Sequence, residues 1–362
     1  MDSRLWLVDD TEAGIQLRPI GDCKEERPST WLGPGLVDLQ VNGVKGIDFN
    51  HPDLKVEDLV RAAEYLRRRG VLQFYPTVIT NSVESTLRLL ETIATACGRY
   101  PHLRRAVAGI HLEGPFISPE DGARGAHPRD CVRAPDVDLF RRFQEAANGS
   151  IRLLTLAAEW ESTPEFVRQC RSWNVVVALG HSLANGDQIR AAVDAGASLS
   201  THLGNGVPLM LPRHPNVIWD QLGEAELWAS FIADGHHLPD SFLRAAIAAK
   251  AEKAILVSDA TAFAGCQPGK YKAHIGGQVE LSAEGRLSMA EDIRFLAGAA
   301  RTLDENVAYL YTRGIVPFER AWSMASAGPR ALMDLAPPPP EEWLLYEVED
   351  GGLHIKEVAQ IL

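Results

Sequence analysis

The sequence predicts a (β/α)8 barrel of the TIM type, and three observations lead to this α/β fold class. The chain has 362 residues, 46% of them apolar and 23% charged, which is enough to bury a full core. From Gly35 onward, short runs rich in β-branched residues alternate with longer amphipathic stretches, a pattern typical of repeated βα units. Eight such runs occupy about 230 residues, close to the usual barrel length of ~250.

The eight runs are the predicted barrel strands. In chain order they cover residues 35–43, 71–80, 106–114, 151–159, 174–181, 198–203, 227–234 and 254–259. Among the stretches between them, residues 56–69 place apolar side chains on one helical face, and Gly70 ends this predicted helix. Residues 186–195 repeat the pattern before Gly196. The intervening stretches are therefore predicted to be helices around the barrel.

Both ends of the chain fall outside the barrel pattern. A run of four prolines separates the tail from the barrel, and the tail then predicts a hairpin of residues 343–348 and 353–358. We expect the two ends to meet as a small β-sandwich domain. The predicted division is residues 1–33 with 336–362 for the small domain, and 34–335 for the barrel.

Composition and charge exclude several classes of protein. A net charge of −12 disfavours a nucleic-acid partner, because phosphate binding requires a basic face. No apolar run reaches the ~18 to 20 residues that span a bilayer, and the first residues lack the pattern of a signal peptide. We therefore expect a cytoplasmic protein with no membrane partner. The five cysteines, at positions 23, 97, 131, 170 and 266, are far apart and predict reduced thiols.

Polar side chains gather at the carboxyl ends of the predicted strands, where barrels of this type carry their active sites. Run by run, these residues are Gln40 and Asn42, His111 and Glu113, His181, His202, Asp234 with His236 and His237, and Asp259. A single histidine in such a place is commonly structural, but structural residues would not all fall at one end of successive strands. The pattern therefore indicates one active site. Four histidines lack this placement and are expected on the surface or in loops: His51, His102, His274 and His354.

Glu113, His181 and His202 form the predicted metal site. Two imidazoles and a carboxylate from three strands can bind one ion and leave a position open, which is the arrangement of a catalytic zinc. Such an ion lowers the pKa of its water toward ~7 and polarises a carbonyl. Amide hydrolysis also needs a group that takes the water's proton and returns it to the departing amine. Asp259, at the end of the last strand, is placed for that role.

Six strings resemble the amidohydrolase superfamily and, within it, the N-acetylglucosamine-6-phosphate deacetylases. They are PGLVDLQVNG at 34–43, HLEGPF at 111–116, GHS at 180–182, THL at 201–203, IADGHH at 232–237 and VSDAT at 257–261. HLEGPF, with GAHP at 125–128, is typical of that branch. The resemblance implies a metal-dependent enzyme of amino-sugar catabolism. Its reaction would convert N-acetylglucosamine 6-phosphate to glucosamine 6-phosphate and acetate.

The resemblance implies the same three metal ligands and the same acid/base residue as the argument from strand ends. It further implies that His127 orients the acetamido carbonyl. Other implied contacts to the sugar are Asn205, Gly206, His237, Leu296, Ala297 and Gly298. Family members hold the phosphate with an arginine of the neighbouring subunit, and Arg213 stands at the matching place. The resemblance thus implies a homodimer that binds an amino-sugar phosphate.

Gln40 and Asn42 depart from the pattern of many superfamily members, which carry two histidines here to hold a second metal. Amides are poor zinc ligands, and the same Q-x-N pattern occurs in this deacetylase family together with a single metal. We therefore expect vacant second-metal positions and one divalent ion, either zinc or else iron, cobalt or manganese. Glu159 stands where dinuclear branches carry a lysine, which disfavours a carbamylated-lysine site.

The predicted pocket departs from the family pattern at several positions. Gly204 and Gly206 stand where an aromatic residue and an alanine are common, and Ala299 and Arg301 replace common Ser and Leu. Three alternatives therefore stay open: N-acetylgalactosamine 6-phosphate as the substrate, an unphosphorylated N-acetylhexosamine, or a sugar-phosphate binding protein without turnover. Asp259 favours an enzyme, because a binding protein needs no proton shuttle.

Overall fold

The computed structural model describes residues 6–11, 14–19, 30–275, 277–339, 342–349 and 352–357. Its strands are β1 (Trp6–Thr11), β2 (Gly14–Pro19), β3 (Thr30–Pro34), β4 (Leu36–Val41), β5 (Gly43–Val44), β6 (Ile47–Asp48), β7 (Val71–Ile79), β8 (Ile110–Glu113), β9 (Ile151–Leu156), β10 (Val176–Leu179), β11 (Leu199–Ser200), β12 (Trp228–Phe231), β13 (Ala254–Leu256), β14 (Gly269–Lys272), β15 (Gln278–Leu281), β16 (Leu287–Met289), β17 (Trp343–Glu349) and β18 (Gly352–Glu357). Its helices are α1 (Val56–Arg68), α2 (Val83–Arg99), α3 (Pro101–Ala106), α4 (Val137–Ala146), α5 (Thr163–Ser172), α6 (Gly186–Ala195), α7 (Val217–Gly223), α8 (Asp240–Lys250), α9 (Leu303–Thr312), α10 (Phe318–Ala325) and α11 (Ala327–Leu332).

Eight parallel strands form the barrel, in the order β4-β7-β8-β9-β10-β11-β12-β13. Each lies within one of the eight predicted runs, so the predicted barrel is confirmed. The ring closes between β4 and the segment after β13, where the amide of Asn42 donates to the carbonyl of Ala260 at 2.8 Å. The amide of Asp259 donates back to the carbonyl of Gln40 at 2.9 Å. The closure therefore tethers residues of the first and last strand ends to each other.

Helices α1 and α6 show why the predicted helices form where they do. The buried residues of α1 are Leu59, Ala62, Ala63 and Leu66, the face predicted from the sequence. Helix α6 begins at a capping box, in which Asn185 and Gln188 exchange side-chain hydrogen bonds with each other's backbone. It ends at Gly196, whose φ of 115° is accessible to glycine without steric cost.

Apolar residues fill the barrel below its carboxyl end. Val37 and Leu39 of β4 pack inside the ring with Leu153, Leu199 and other buried side chains. The outer faces of the strands and the inner faces of the helices form a second, larger cluster. The interior is thus a packed core, and a cavity can open only above it, at the carboxyl ends of the strands.

The two ends of the chain join in one antiparallel sheet, in the order β18-β17-β3-β1-β2. The predicted hairpin is confirmed as β17 paired with β18, and residues 350–351 of its turn lie outside the described part. Trp31 of β3 packs on Phe318 of α10 with 4.1 Å between ring centroids, which anchors this sheet to the barrel. Within the described residues the ends form this single sheet, whereas a sandwich requires two facing sheets.

A second antiparallel sheet, β14-β15-β16, was not predicted from the sequence. It is inserted after the last barrel strand and has its own small core, made by Val279, Leu281, Leu287 and Ala300. The insertion matters for function, because residues 273–275, between β14 and β15, and residues 296–298, after β16, lie at the carboxyl end of the barrel.

Cys97, Cys131, Cys170 and Cys266 are free thiols, as predicted, and Cys23 lies outside the described residues. In the described part of the chain, no helix combines the length and the apolar character that crossing a membrane would require.

Lys250 is buried, with 6% of its surface exposed, and its ammonium group donates to three backbone carbonyls. The acceptors are Gln221 at 2.8 Å, Glu224 at 2.8 Å and Leu227 at 3.1 Å, which follow one another from the last turn of α7 to the start of β12. We expect Lys250→Met to lower the free energy of unfolding by about 2–4 kcal/mol, because three carbonyls lose the buried ammonium group that donates to all of them.

Lys253→Met is the matched control for this prediction. Its ammonium donates to the carbonyl of Ala225 at 2.8 Å, but its side chain is 36% exposed, so water can replace the lost bond. Urea denaturation of both variants measures the difference. Equal losses of stability would contradict the assignment of Lys250 as a buried anchor.

Candidate active site

A cavity of about 330 Å³ opens at the carboxyl end of the barrel. It contains most of the residues singled out from the sequence: Asn42, Glu113, His127, His181, His202, Asn205, Gly206, His237, Asp259, Leu296, Ala297 and Gly298. Gln40 lies just below the cavity, and Arg213 does not line it. Residues from eight separate segments of the chain therefore meet in one place.

Three side-chain atoms in this cavity lie at the corners of a small triangle. Nε2 of His202 is 3.1 Å from Oε1 of Glu113 and 3.1 Å from Nε2 of His181, and the third side, between His181 and Glu113, is 3.3 Å. All three residues are buried. In a tetrahedral zinc site with ligands at ~2.0–2.1 Å, the ligand atoms lie roughly 3.3 Å apart. The donor set and its spacing therefore fit a divalent ion.

Hydrogen bonds orient two of the three side chains. Nδ1 of His181 lies 2.8 Å from the carbonyl of Ala123, and since a carbonyl can only accept, Nδ1 is protonated and Nε2 is the ring nitrogen that faces the triangle. Gln40 donates from Nε2 to Oε1 of Glu113 at 2.9 Å. Gln40, at one of the two positions where a second metal would otherwise be held, thus fixes the carboxylate of Glu113.

His127 lies close to the same group. One ligand atom each of Glu113, His127 and His181 falls within 4.8 Å of the others, so His127 could belong to the metal site. We favour His202 as the third ligand, because its Nε2 contacts both partners at 3.1 Å, whereas Nδ1 of His127 is engaged with Thr80 Oγ1 at 2.8 Å. Burial and the nearby His181 lower the pKa of His127 to about 3, so its ring is neutral at pH 7.

The charges of the triangle are tightly coupled. Burial opposes ionisation of Glu113, but hydrogen bonds from His181 and His202 outweigh it and hold the pKa of Glu113 well below its usual range. Burial also opposes the charging of His202, yet the hydrogen bond and charge of Glu113 raise the pKa of His202. The carboxylate is therefore ionised and stabilises positive charge in its surroundings, whether on an imidazole or on a metal.

Asp259 faces the cavity beside the triangle. Asn42 donates from Nδ2 to Oδ1 of Asp259 at 2.7 Å, which fixes the carboxyl group and leaves Oδ2 available. Burial, together with the negative charge of Glu113, raises the pKa of Asp259 to about 6. A carboxyl group with a pKa near neutrality is suited to exchange protons in both directions.

Three of these residues share a strained backbone. His181, His202 and Asp259 have φ values of 50°, 30° and 50°, in the left-handed region that residues with a Cβ seldom occupy. Each lies two or three residues after the end of a short barrel strand. Such strain persists only where the surrounding structure holds it, and it is concentrated at functional sites. The strained turns aim the three side chains into the cavity instead of along the barrel wall.

His237 and Asp234 form a second fixed pair in the cavity wall. Nδ1 of His237 is 2.7 Å from Oδ2 of Asp234, and the amides of His236 and His237 donate to Oδ1 at 2.8 and 2.9 Å. Burial alone would raise the pKa of Asp234, but these bonds and the nearby charge lower it to about 2. The ionised carboxylate holds the His237 ring in one orientation at the cavity.

The glycines at 204 and 206 have steric roles that the sequence did not predict. Gly204 has a φ of 100°, and a Cβ there would lie 2.8 Å from Leu238, whose side chain fills that space together with Phe242. Gly206 has a φ of 61°, and a Cβ there would lie 2.9 Å from Nδ1 of His181. The Gly206 turn is therefore packed directly against a candidate ligand.

We expect Gly206→Ala to weaken zinc binding by about 10- to 100-fold, because the added methyl group displaces the imidazole of His181. Gly314→Ala is the matched control: its φ of 58° carries the same backbone strain, but nothing lies within 4 Å of the new methyl group. Zinc titration against a competing chelator measures both. Equal affinities in the two variants would refute the steric argument.

Three further positions singled out from the sequence do not line the cavity: Arg213, Glu159 and His111. Arg213 is exposed and lies outside the cavity of its own chain. Glu159 does not line the cavity and instead accepts from Ser182 Oγ at 2.6 Å and from the Leu183 amide at 3.1 Å. It braces the loop that follows His181. His111 lies inside the barrel, with Nε2 2.8 Å from Thr155 Oγ1.

Sequence reasoning missed several residues of the site. Asp48 and Asn50 line the cavity, although they follow the first strand by several residues and lie beyond its end. Thr80 and Ala123 position His127 and His181. His51 and His274 lie in loops, as expected, and their ring centroids are 5.1 Å apart. Of these residues, only Thr80 could have been identified from the sequence, because it ends the second predicted strand.

Comparisons with known proteins place this site in a family. No family model matches the chain. The N-acetylgalactosamine-6-phosphate deacetylase of Escherichia coli O157:H7 is 30% identical, over 99% of this chain and 93% of that protein. The N-acetylglucosamine-6-phosphate deacetylase of Bos taurus is 31% identical, over 91% of this chain and 81% of that protein.

Solved structures agree with these relatives. The N-acetylglucosamine-6-phosphate deacetylase of Pasteurella multocida has a TM-score of 0.78 at 25% identity, covering 95% of this chain and 92% of that one. A mutant of the Mycobacterium smegmatis enzyme, in complex with N-acetyl-D-glucosamine 6-phosphate, has the same score and identity over 90% and 85%. The barrel, the metal-binding donor set and these relatives lead to one conclusion. The chain belongs to the N-acetylglucosamine-6-phosphate deacetylase family of the amidohydrolase superfamily and is a deacetylase.

Proposed function

We propose that the protein hydrolyses the acetamide of N-acetylglucosamine 6-phosphate to glucosamine 6-phosphate and acetate, in amino-sugar catabolism. The observation that supports this most directly is the convergence of Glu113, His181 and His202, whose ligand atoms lie 3.1–3.3 Å apart. The carboxyl group of Asp259 lies beside this triangle without being part of it. Such a site can activate water and then protonate an amine, which are the two needs of amide hydrolysis.

Glu113, His181 and His202 would hold one divalent ion, and we propose zinc, with iron, cobalt and manganese as alternatives. When bound, the ion makes water acidic and polarises the acetamide carbonyl. Gln40 and Asn42 would leave a second metal position vacant. Their amides donate to Glu113 and Asp259 instead.

Asp259 would act first as the general base and then as the general acid. Its Oδ1 is held by Asn42, so the same carboxyl group can take a proton from water and deliver it to the departing nitrogen without moving. His127 would orient the acetamido carbonyl. The contact of 2.8 Å between Nδ1 of His127 and Oγ1 of Thr80 holds the ring, and in the tautomer protonated on Nε2 the neutral ring can donate to the carbonyl of the substrate.

The sugar would be bound by the predicted residues of the cavity wall. These are Asn205, Gly206, His237, Leu296, Ala297 and Gly298. For the phosphate we propose Arg213 of a second copy of the chain, in a homodimer. Arg213 lies outside its own cavity, on a loop that also exposes Leu209 and Met210 by 83% and 87%. Exposed apolar side chains next to an exposed guanidinium support an interface there.

A second candidate substrate is N-acetylgalactosamine 6-phosphate, because the E. coli relative named for that substrate matches 99% of this chain. An unphosphorylated N-acetylhexosamine is a third candidate, and a sugar-phosphate binding protein without turnover would be a function of a different class.

For the chain as a whole we keep the division into residues 1–33 with 336–362, as a small β domain, and 34–335, as the barrel domain. The pairing of β3 with β17 supports it.

Acetate release from N-acetylglucosamine 6-phosphate, its galacto epimer and its unphosphorylated counterpart tests the proposal. The protein is first stripped with a chelator and then reconstituted with zinc. We expect metal-dependent release with the largest kcat/KM on the phosphorylated gluco sugar. A preference for the galacto epimer would transfer the proposal to the second candidate, and no release from any of the three would refute a deacetylase of this substrate class.

A further inference from the structure

One carboxyl group in the cavity wall has no part in the chemistry described so far. Asp48, on the short hairpin of β5 and β6, lines the cavity and is half-buried. Its Oδ1 accepts from the amide of Asn50 at 2.8 Å. Among the described residues, no lysine, arginine or histidine nitrogen lies within ion-pair distance of it, which distinguishes it from Glu113 and Asp234. A carboxylate withdrawn from water without a cation needs other hydrogen-bond donors.

The protein holds Asp48 rigidly. The amide of Lys45 donates to Ala264 at 2.8 Å and that of Gly46 to Ala262 at 2.6 Å, which ties the hairpin to the segment after the last barrel strand. Asn50 is fixed through both ends of its side chain, to the carbonyl of Thr77 at 3.0 Å and the amide of Ile79 at 2.8 Å. A rigid carboxylate facing a ligand cavity can select for hydrogen-bond donors at one position.

Asp48 lies on a different side of the cavity from Asn205 and Gly206, two of the proposed sugar contacts. The hairpin follows β4, whereas Asn205 and Gly206 follow β11, three strands away in the closed ring. A phosphate beside Asp48 would be repelled by the carboxylate, and a sugar hydroxyl would not. Burial also raises the pKa of Asp48, and this effect outweighs the amide of Asn50 and the nearby charges of His274 and His51, which lower it.

We propose that the Asp48 carboxylate accepts hydrogen bonds from ring hydroxyls of the sugar and thereby determines which hydroxyl pattern the enzyme prefers. This inference rests on the proposed function, since it takes the ligand to be an N-acetylated sugar phosphate. A site built to bind a hydroxyl discriminates strongly against an analogue that lacks it, because a buried acceptor is then left without a donor. Asp48 would thus be a specificity-determining residue of this chain.

The test combines variants of Asp48 with deoxy substrates. Acetate release is measured on N-acetylglucosamine 6-phosphate and its 3-deoxy and 4-deoxy analogues, with the wild type, Asp48→Ala and Asp48→Asn. We expect Asp48→Ala to lower kcat/KM about 10- to 100-fold on the parent sugar and less than about 3-fold on the analogue lacking the contacted hydroxyl. Asp48→Asn keeps one acceptor oxygen and should lose less.

Asp53→Ala is the matched control, because it removes a carboxylate from the same loop whose side chain is 85% exposed and does not line the cavity. Its kcat/KM should equal that of the wild type on all three sugars. Equal fold losses for Asp48→Ala on all three sugars, or no loss at all, would overturn the inference and leave the proposed function standing. No acetate release by the zinc-loaded wild type would overturn both.

Discussion

Asp259→Asn is expected to lower kcat by about three orders of magnitude while zinc and substrate still bind. Asparagine has nearly the same shape, and its Oδ1 can still accept the hydrogen bond that Asn42 donates at 2.7 Å. The substitution removes only the ability to take up and release a proton. Single-turnover kinetics, together with substrate binding measured by calorimetry, separate these two properties.

The same variant distinguishes an enzyme from a sugar-phosphate binding protein. A binding protein would show unchanged affinity and no turnover before or after the substitution. Asn42→Leu provides a graded comparison, since it leaves the Asp259 carboxyl group intact but removes the hydrogen bond that fixes it. We expect a smaller loss of kcat there. A kcat for Asp259→Asn within tenfold of the wild type would exclude Asp259 as the general acid/base.

His202→Ala is expected to abolish stoichiometric zinc binding and to lower acetate release at least 10³-fold. Nε2 of His202 touches both other corners of the triangle, so its loss leaves only Glu113 and His181. Two protein ligands cannot hold an open catalytic site with useful affinity. Metal content by elemental analysis, and activity before and after zinc addition, measure the effect.

His236→Ala is the control for histidine loss at the same end of the barrel. His236 is half-exposed, its Nε2 lies 3.1 Å from the carbonyl of Glu284, and it does not line the cavity. It should keep one zinc per chain. If His202→Ala also kept one zinc and His127→Ala lost it, the ligand set would instead be Glu113, His127 and His181, which lie within 4.8 Å of one another.

Periodicity predicted the barrel well, because each strand and helix has a local hydrophobic pattern. All eight barrel strands lie within predicted runs, and α6 matches its prediction at both ends because its capping box and Gly196 are local signals. The inserted sheet β14-β15-β16 was missed, since its strands are only three or four residues long and have little pattern of their own.

In the candidate site, too, some features could be predicted from the sequence and others could not. Glu113, His181, His202 and Asp259 could be predicted because the barrel fold brings all its strand ends to one edge, whatever the loops do. The roles of Gln40 and Asn42 as donors to Glu113 and Asp259 could not, because a hydrogen bond between residues 73 or 217 positions apart has no local signature. From the resemblance, Gln40 and Asn42 could only be predicted to leave a second metal position vacant.

The sequence was sufficient for the fold class and for the residues that end its strands, since both follow from short-range patterns of side-chain chemistry. It was not sufficient for Asp48, which lies on a hairpin beyond its strand, or for Ala123, whose carbonyl orients His181. Those placements depend on how distant segments pack: the hairpin is held by residues 262–264, and these are brought to it only when the barrel closes.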